Sequence, residues 1–417
     1  MTGLAKEPGS QGIMARLRQL LVASITVVSS ALVVLGCTSA NQREVSVLTS
    51  HRQMLWESES PTREVSGAAV ASRRDLSMKS QNDGKWVFES EPGSLPHPDQ
   101  ALQGKSFDLL LLSWNLVLEP GAGAIVEIRV GPTESGGWSP YLQVGTCGIL
   151  DGRPHAVREF TDGGRPAGRI DVDQFVSQKH YSSFGVRVTA VTKGVPIAPD
   201  KSPVHIERLA IWCGDSTSLR VVPVSELVGS AGEIRSTNEV PFRAQRTPIR
   251  SLSGRLCSPT SLTMVLEYYG ANRQLLEVAQ RAHDPDFDIY GNWPRSIQVA
   301  FECGVPGFLT RFSDWQTVAN LLADGHPIIA SIAAPKGVIR NAPYKELNGG
   351  HLIVLTGTDG NGGVYVNDPA ATDASSGKRI YSMADLSKAW LELGKGTAYV
   401  LLGDPPRELQ SRSEGNE

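Results

Sequence analysis

Hydrophobic positions change period along this chain, and the change divides it. Between residues 107 and 212 they form short runs at 109–116, 124–130, 141–144, 156–160, 168–172, 183–191 and 204–212. Turn sequences such as Glu119-Pro120-Gly121 and Asp162-Gly163-Gly164 separate them. Short β-forming runs at this spacing, with no long helix between them, predict an antiparallel β-sandwich. Beyond residue 257 the period lengthens. Leu262, Val265, Leu266 and Tyr269 recur at the three- and four-residue spacing of one buried helix face, and Gly270 ends the run as a C-cap would. Helices are predicted over 258–269, 274–282, 294–303 and 313–323, followed by strands over 327–333, 351–358, 364–367, 379–382 and 397–401. Helices first and an antiparallel sheet second is an α+β arrangement. The turn-rich stretch 359–363 joins two of these strands as a hairpin.

The segments outside these blocks set the boundaries. Arg16 and Arg18 precede an apolar stretch that ends Val34-Leu35-Gly36-Cys37, so residues 1–37 read as an export signal. Met14 is an alternative start with a more compact basic region. The Leu-Gly-Cys ending resembles a bacterial lipobox, which would lipidate Cys37 and tether the mature chain to a membrane of the bacterial cell envelope. A transmembrane anchor is the competing reading, but the stretch is short and carries Ser24, Ser29 and Ser30. Residues 38–95 are polar and weakly periodic and read as a mostly irregular tether, with 86–88 as a first strand. The sandwich is expected over 96–214, a linker with one short helix over 215–239, the α+β domain over 240–402 and a disordered tail over 403–417. The chain is thus expected to be multidomain, an N-terminal antiparallel β-sandwich followed by an α+β domain.

Composition narrows the function classes. The chain has 417 residues, 40% hydrophobic and 20% charged, which suits globular domains. A formal net charge of −3 supplies no basic field for nucleic acid, and none is expected as a partner. Zinc-type cysteine pairs, phosphate-cradling glycine loops and internal repeats are not seen in the sequence. The stretch 283–288 has the acids of a calcium loop, but Ile289 and Arg295 stand where glycine and glutamate are required. Export would place the chain where thiols can oxidise, and Cys147 could then pair with Cys213. Cys303 reads as a core thiol and His326 as a loop residue. Trp114, Trp138, Tyr141 and Trp212 are either core and turn residues of the sandwich or a face for a carbohydrate ligand; a protein ligand is also open to it.

Candidate chemistry gathers at Cys257. Pro259 suits the first turn of a helix, so Cys257 would lie at the positive end of a helix dipole, which favours the nucleophilic thiolate. A lone cysteine is more often core, so the case rests on what else a thiol nucleophile needs: a base, a group to orient the base, and donors for the oxyanion. His351 follows Gly349-Gly350 and opens a strand. Asp368 ends the neighbouring strand across the 359–363 turn, and Asn367 is its alternative as orienting group. Gln245, twelve residues before Cys257, supplies a side-chain amide to join the Cys257 backbone N–H. One oxyanion donor contributes about 3 kcal/mol to the barrier, and a placed base about 10²–10⁴ in rate.

The set Pro241-Phe242-Arg243-Ala244-Gln245, Cys257-Ser258-Pro259-Thr260-Ser261, Tyr268-Tyr269-Gly270, Gly291-Asn292-Trp293, Gly349-Gly350-His351 and Val366-Asn367-Asp368-Pro369 resembles papain-like cysteine peptidases. Within them it is most similar to the group related to bacteriocin-processing, double-glycine leader peptidases. The resemblance covers residues 240–402 and implies a papain-like fold, a peptide or protein substrate and no cofactor. It places the nucleophile on Cys257, the base on His351, the orienting acid on Asp368 and the oxyanion glutamine on Gln245. The family usually has glycine where Ser258 stands, which alters the crowding beside the nucleophile. The transporter parts of leader-processing members are absent from the sequence, so that substrate class is not implied. Two other functions fit the same pattern: an amidase or acyltransferase acting on cell-wall or small substrates, and an inactive peptide-binding envelope lipoprotein.

Overall fold

The computed structural model describes residues 68–71, 76–82, 85–90, 106–150, 156–192, 202–216, 229–345 and 349–404. The signal, the lipobox and the tail beyond residue 404 lie outside the described residues. Among the described residues, no helix is long and apolar enough to cross a membrane.

The strands up to residue 214 are β1 (Ala68–Ala71), β2 (Leu76–Asn82), β3 (Lys85–Ser90), β4 (Phe107–Leu118), β5 (Ala122–Gly131), β6 (Leu142–Gly148), β7 (Glu159–Asp162), β8 (Arg165–Asp171), β9 (Gln174–Tyr181), β10 (Ser183–Thr192) and β11 (Val204–Gly214). They form two sheets, in order β1-β11-β4-β9-β8-β7 and β2-β3-β10-β5-β6, with all pairings antiparallel. Both sheets share one core: Leu110, Leu112, Trp114 and Leu116 from β4 meet Val126, Ile128, Val186 and Val188 from the other sheet. The irregular tether expected over 38–95 is therefore corrected. Leu76, Trp86 and Phe88 are buried in this core; β3 is the strand expected at 86–88, and β1 and β3 pair with β11 and β10, partners about a hundred residues or more away. For β1 and β2 such pairing leaves little local trace in a polar stretch. The strand β9 was likewise not expected, because its sequence Gln-Phe-Val-Ser-Gln-Lys-His-Tyr is mostly polar.

The strand β4 is buried at ten consecutive positions, although strand faces alternate. From Leu109 to Leu116 the even-numbered residues fill the two-sheet core, and the odd-numbered ones meet the second half of the chain. Leu109, Leu111 and Trp212 pack with Trp293. The Ser113 Oγ accepts from the Leu309 N–H at 2.9 Å, and the Asn115 Oδ1 from the Gly307 N–H at 3.2 Å. These are N–H groups of an edge strand, which here end on side chains and not on a further strand. The Gln298 side chain accepts from the Leu116 N–H and donates to the Leu116 carbonyl, at 2.9 and 2.8 Å.

The second half carries helices α1 (Cys257–Tyr268), α2 (Leu275–Ala282), α3 (Trp293–Glu302) and α4 (Trp315–Ala323), with strands β12 (Arg235–Thr237), β13 (Gly307–Arg311), β14 (Ile328–Ala333), β15 (Gly350–Asp359), β16 (Gly363–Asn367), β17 (Lys378–Ser382) and β18 (Thr397–Leu401). The sheet order is β13-β18-β14-β15-β16-β17, with β12 extending the partner edge of β15. Leu352 and Val354 of β15 face α1, α2 and α3, while Ile353 and Leu355 face α4 and the helical segment 383–392. The expected linker 215–239 is corrected at its end: the 3-10 turn Gly229–Glu233 and β12 belong to this sheet. Strand β13 and the segment 383–392 are further elements the periodicity did not indicate.

Helix α1 also departs from expectation. It is buried nearly all round, from Ser258 to Leu266 and again at Tyr268, whereas one buried face ending on Tyr269 was predicted. Its polar buried positions conceal this in the sequence. Gly270 does take a left-handed φ of +79° just past the helix end. Cys147 and Cys213 are both buried and unpaired, so the pairing left open by the sequence is not made; Cys303 is a buried core thiol. Each of the first two points into the shared two-sheet core and is covered by apolar neighbours.

Candidate active site

Cys257 is the first residue of α1, and no side chain caps that helix start. Four residues on, the Ser261 Oγ donates to the Leu352 carbonyl at 3.0 Å. This bond fixes the helix against the start of β15, where His351 stands. Gly349 has a φ of +125°, and a Cβ at Gly349 or Gly350 would meet only open space. His351 itself is 2% exposed.

The His351 Nε2 lies 2.8 Å from the Asp368 Oδ1, which leaves Nδ1 for the Cys257 sulfur that also hydrogen-bonds the ring. Asp368 is fully buried at the end of β16 and is itself held: Oδ1 accepts the Ala370 N–H at 3.0 Å and Oδ2 accepts the Tyr381 hydroxyl at 2.8 Å. The Tyr344 ring stands edge-on to the imidazole, with centroids 5.4 Å apart. Neither tyrosine was visible as part of the site in the sequence. Tyr381 is thirteen residues from Asp368 on a separate strand, and only the β16–β17 pairing brings them together.

Asn367, the alternative orienting group, has another task. Its Nδ2 donates to the Val240 carbonyl at 3.0 Å and lies 3.4 Å from that of Pro241. Gln245 is tied to the same place, its N–H donating to the Pro369 carbonyl at 2.8 Å. Arg243 anchors the segment to α1 through Glu267, with both pairs of atoms within 2.9 Å. The residues on both sides of Asp368 therefore hold the irregular segment that carries Gln245. The Gln245 Oε1 is buried and without a hydrogen-bond partner.

Charge follows from this geometry. Burial pushes the Cys257 thiol up, but the hydrogen bond and charge of His351 and the N–H groups of Leu352 and Ser258 outweigh it, and the thiol is held below its ordinary value. Burial works against a charged His351 too, yet Asp368 and Cys257 raise it to about 10. A lowered thiol beside a raised imidazole is the pattern of a thiolate–imidazolium pair. Cys257 stays half-buried and within reach of a substrate.

Ser258, where the resemblance departs, points away from the nucleophile. Its Oγ lies 3.0 Å from the Tyr399 hydroxyl and 3.3 Å from the Ser296 Oγ in a buried cluster. Other candidates resolve as structural. Asp284 receives the Asp286 N–H and the Asn292 Nδ2, closing a tight turn. The His326 Nδ1 lies 3.1 Å from the Tyr269 hydroxyl. Trp114 is core and Trp212 lies between the two halves, so the four aromatics do not share one face.

A helix-borne thiol, a strand-borne imidazole and a carboxylate on the adjoining strand define the papain-like class of thiol hydrolases. Residues 237–398 match the model of the Peptidase_C39 like family. Similar solved structures include a double glycine motif protease from an AMS/PCAT transporter in complex with the leader peptide (19% identity, 40% of this chain and 95% of that chain, TM-score 0.29). Another is a C39-like peptidase from Bacillus anthracis (18% identity, 41% of this chain and 99% of that chain, TM-score 0.32). A third is the peptidase domain of Streptococcus ComA, a bi-functional ABC transporter (16% identity, 40% of this chain and 100% of that chain, TM-score 0.28). No curated protein matches the chain.

Proposed function

We propose that the protein is an exported cysteine peptidase, anchored by a lipid on Cys37 to the bacterial cell envelope, and that Cys257 attacks the peptide carbonyl. The observation that carries this reading is the relay from Asp368 through His351 to Cys257, with the His351 Nε2 2.8 Å from the Asp368 Oδ1. The match of residues 237–398 to a peptidase family supports a peptide bond as the target.

In this reading the Cys257 thiolate adds to the carbonyl carbon. The oxyanion takes hydrogen bonds from the Cys257 N–H and the Gln245 side-chain amide. His351 Nδ1 gives its proton to the leaving amine, which departs and leaves a thioester. The neutral imidazole then takes a proton from water as the hydroxyl adds to the thioester. Collapse expels the thiolate and restores the imidazolium, and Asp368 holds the ring throughout. No cofactor enters these steps. The two sheets before residue 216 form a β-sandwich domain that positions the peptidase domain.

The test has two arms. Iodoacetamide should alkylate Cys257 faster than Cys303 in the folded protein near pH 7; equal rates would overturn the nucleophile assignment. Wild type and Cys257→Ala are then incubated with a proteome-derived peptide library and with cell-wall fragments. Thiol-dependent cleavage of peptides supports the reading. Cleavage of wall fragments alone makes the protein an amidase, and cleavage of neither leaves a peptide-binding lipoprotein.

A further inference from the structure

The hairpin between β8 and β9 reaches from the two-sheet unit into the peptidase domain. At its tip Val172 adopts φ of +60°, a conformation that a β-branched residue takes only when its surroundings hold it there. Arg158 does so in part, its Nη1 donating to the Val172 carbonyl at 3.0 Å. The held turn delivers the next residue, Asp173, to the start of α3. Asp173 is 4% exposed, and its Oδ2 accepts the Trp293 N–H at 2.7 Å. A carboxylate here meets both an unpaired N–H of the first helical turn and the positive end of the helix dipole. The neighbouring Asn292 caps the same helix from within, accepting the Arg295 N–H, so two independent groups fix this helix start.

From α3 the contacts run directly to the nucleophile. The Ser296 Oγ, one turn along, donates to the Asn292 carbonyl at 2.9 Å and lies 3.3 Å from the Ser258 Oγ. Ser258 is held on its other side by Tyr399 at 3.0 Å. The Ser258 N–H is one of the two backbone groups that hydrogen-bond the Cys257 sulfur. A helix start fixed by Asp173 therefore fixes, through Ser296 and Ser258, a donor to the thiolate.

We propose that Asp173 is a positioning residue for the Cys257 nucleophile, so that the two-sheet unit acts as a built-in activator of the peptidase domain. This rests on the reading of Cys257 as the nucleophile. It also gives Ser258 a purpose: a glycine there could not receive the positioning from α3.

The test follows the rate of Cys257 alkylation against pH in the full chain, for wild type, Asp173→Ala, Asp173→Asn, Ser296→Ala and the Asp173→Ala/Ser296→Ala double variant. Fast alkylation in the wild type stands or falls with the nucleophile reading alone, before any variant is compared. Asp173→Ala should move the alkylation profile to higher pH and slow the reaction near neutrality roughly 3–10-fold, by loss of about one hydrogen bond to the thiolate. Asp173→Asn, which keeps an acceptor for the Trp293 N–H, should restore most of that rate. Ser296→Ala should shift the profile the same way, and the double variant should show less than the sum of the two effects. A lower melting temperature with an unmoved profile would make Asp173 a structural residue only and overturn the proposal. So would additive effects of Asp173→Ala and Ser296→Ala. If Asp173→Ala does not fold, Ser296→Ala with an unmoved profile overturns it by itself.

Discussion

The two halves of the candidate site are built differently. The imidazole–carboxylate half is closed: His351 and Asp368 are buried, and Asp368 has partners on both oxygens from His351, Ala370 and Tyr381. The thiol half is more open: Cys257 is half-buried. The difference teaches which groups are set before substrate arrives. Orientation of the imidazole is built into the fold through Asp368, whereas the thiol is left partly exposed. A closed half loses stability when trimmed; an open half loses only rate.

The largest effect should come from Cys257→Ala, which is expected to abolish peptide turnover while lowering the melting temperature far less than Asp368→Ala, as read by thermal unfolding beside a peptide assay. Asp368→Ala should damage both quantities. It frees the imidazole and leaves it buried without its carboxylate, lowering kcat by about 10²–10⁴ and stability by roughly 3–5 kcal/mol. If stability fell no further than in Cys257→Ala, the distinction between the halves would fail. Gln245→Ala should lower kcat by about 10²–10³ with little change in denaturant midpoint. Tyr381→Phe removes one donor from a buried carboxylate, so a loss of about 1–3 kcal/mol is expected in denaturant titrations, with a smaller loss of rate.

The pH dependence sharpens the same contrast. The thiol is held below its ordinary value and the imidazole is raised to about 10. The pair titrates as a unit. Activity should rise as pH climbs through the lowered thiol value and fall as it passes about 10. For stability, the His351 contribution is complete below the unfolded imidazole value, near 6.5, and is lost as pH rises through about 10. That of Cys257 is present above the unfolded thiol value and is lost as pH falls through the lowered one. An alkaline limb that stays at 10 in Cys257→Ser, followed by titration of His351, would show that the thiol does not share in the pair.

Asp173 gives the smallest expected effect. Burial is the main cause that raises its carboxyl to about 7, against the Trp293 N–H. Its ionisation therefore opposes folding from about pH 4 upward and does so fully above about 7. Asp173→Asn should be more stable than wild type at pH 8 and no more stable at pH 4.

The site was legible because its chemistry lies in short motifs. Cys257 beside Pro259, His351 after two glycines and Asp368 before Pro369 are each local, and their order along the chain was enough to bring them together. Asn367 against Asp368 was not decidable by alternation, since both do necessary work: one holds the imidazole, the other holds the Gln245 segment. What stayed hidden depends on distant pairing. Tyr381 enters only through the register of β16 and β17, and β1 only through a partner far along the chain, whereas β3 was visible as the strand at 86–88. The strand runs before residue 214 were readable, but the boundary of their unit was not, because polar strands such as β9 carry no period. In β4 the alternation is erased, as both faces are covered.

That strand has a consequence for how the protein can change over generations. A surface strand has one side on which mutations are cheap. Along β4, Leu110, Leu112, Trp114 and Leu116 answer to one half of the molecule, while Leu109, Leu111, Ser113 and Asn115 answer to the other. No position from Phe107 to Leu116 is free to drift. Replacing either half with a different module would therefore require rewriting residues 109–116, because alternate positions there serve different halves.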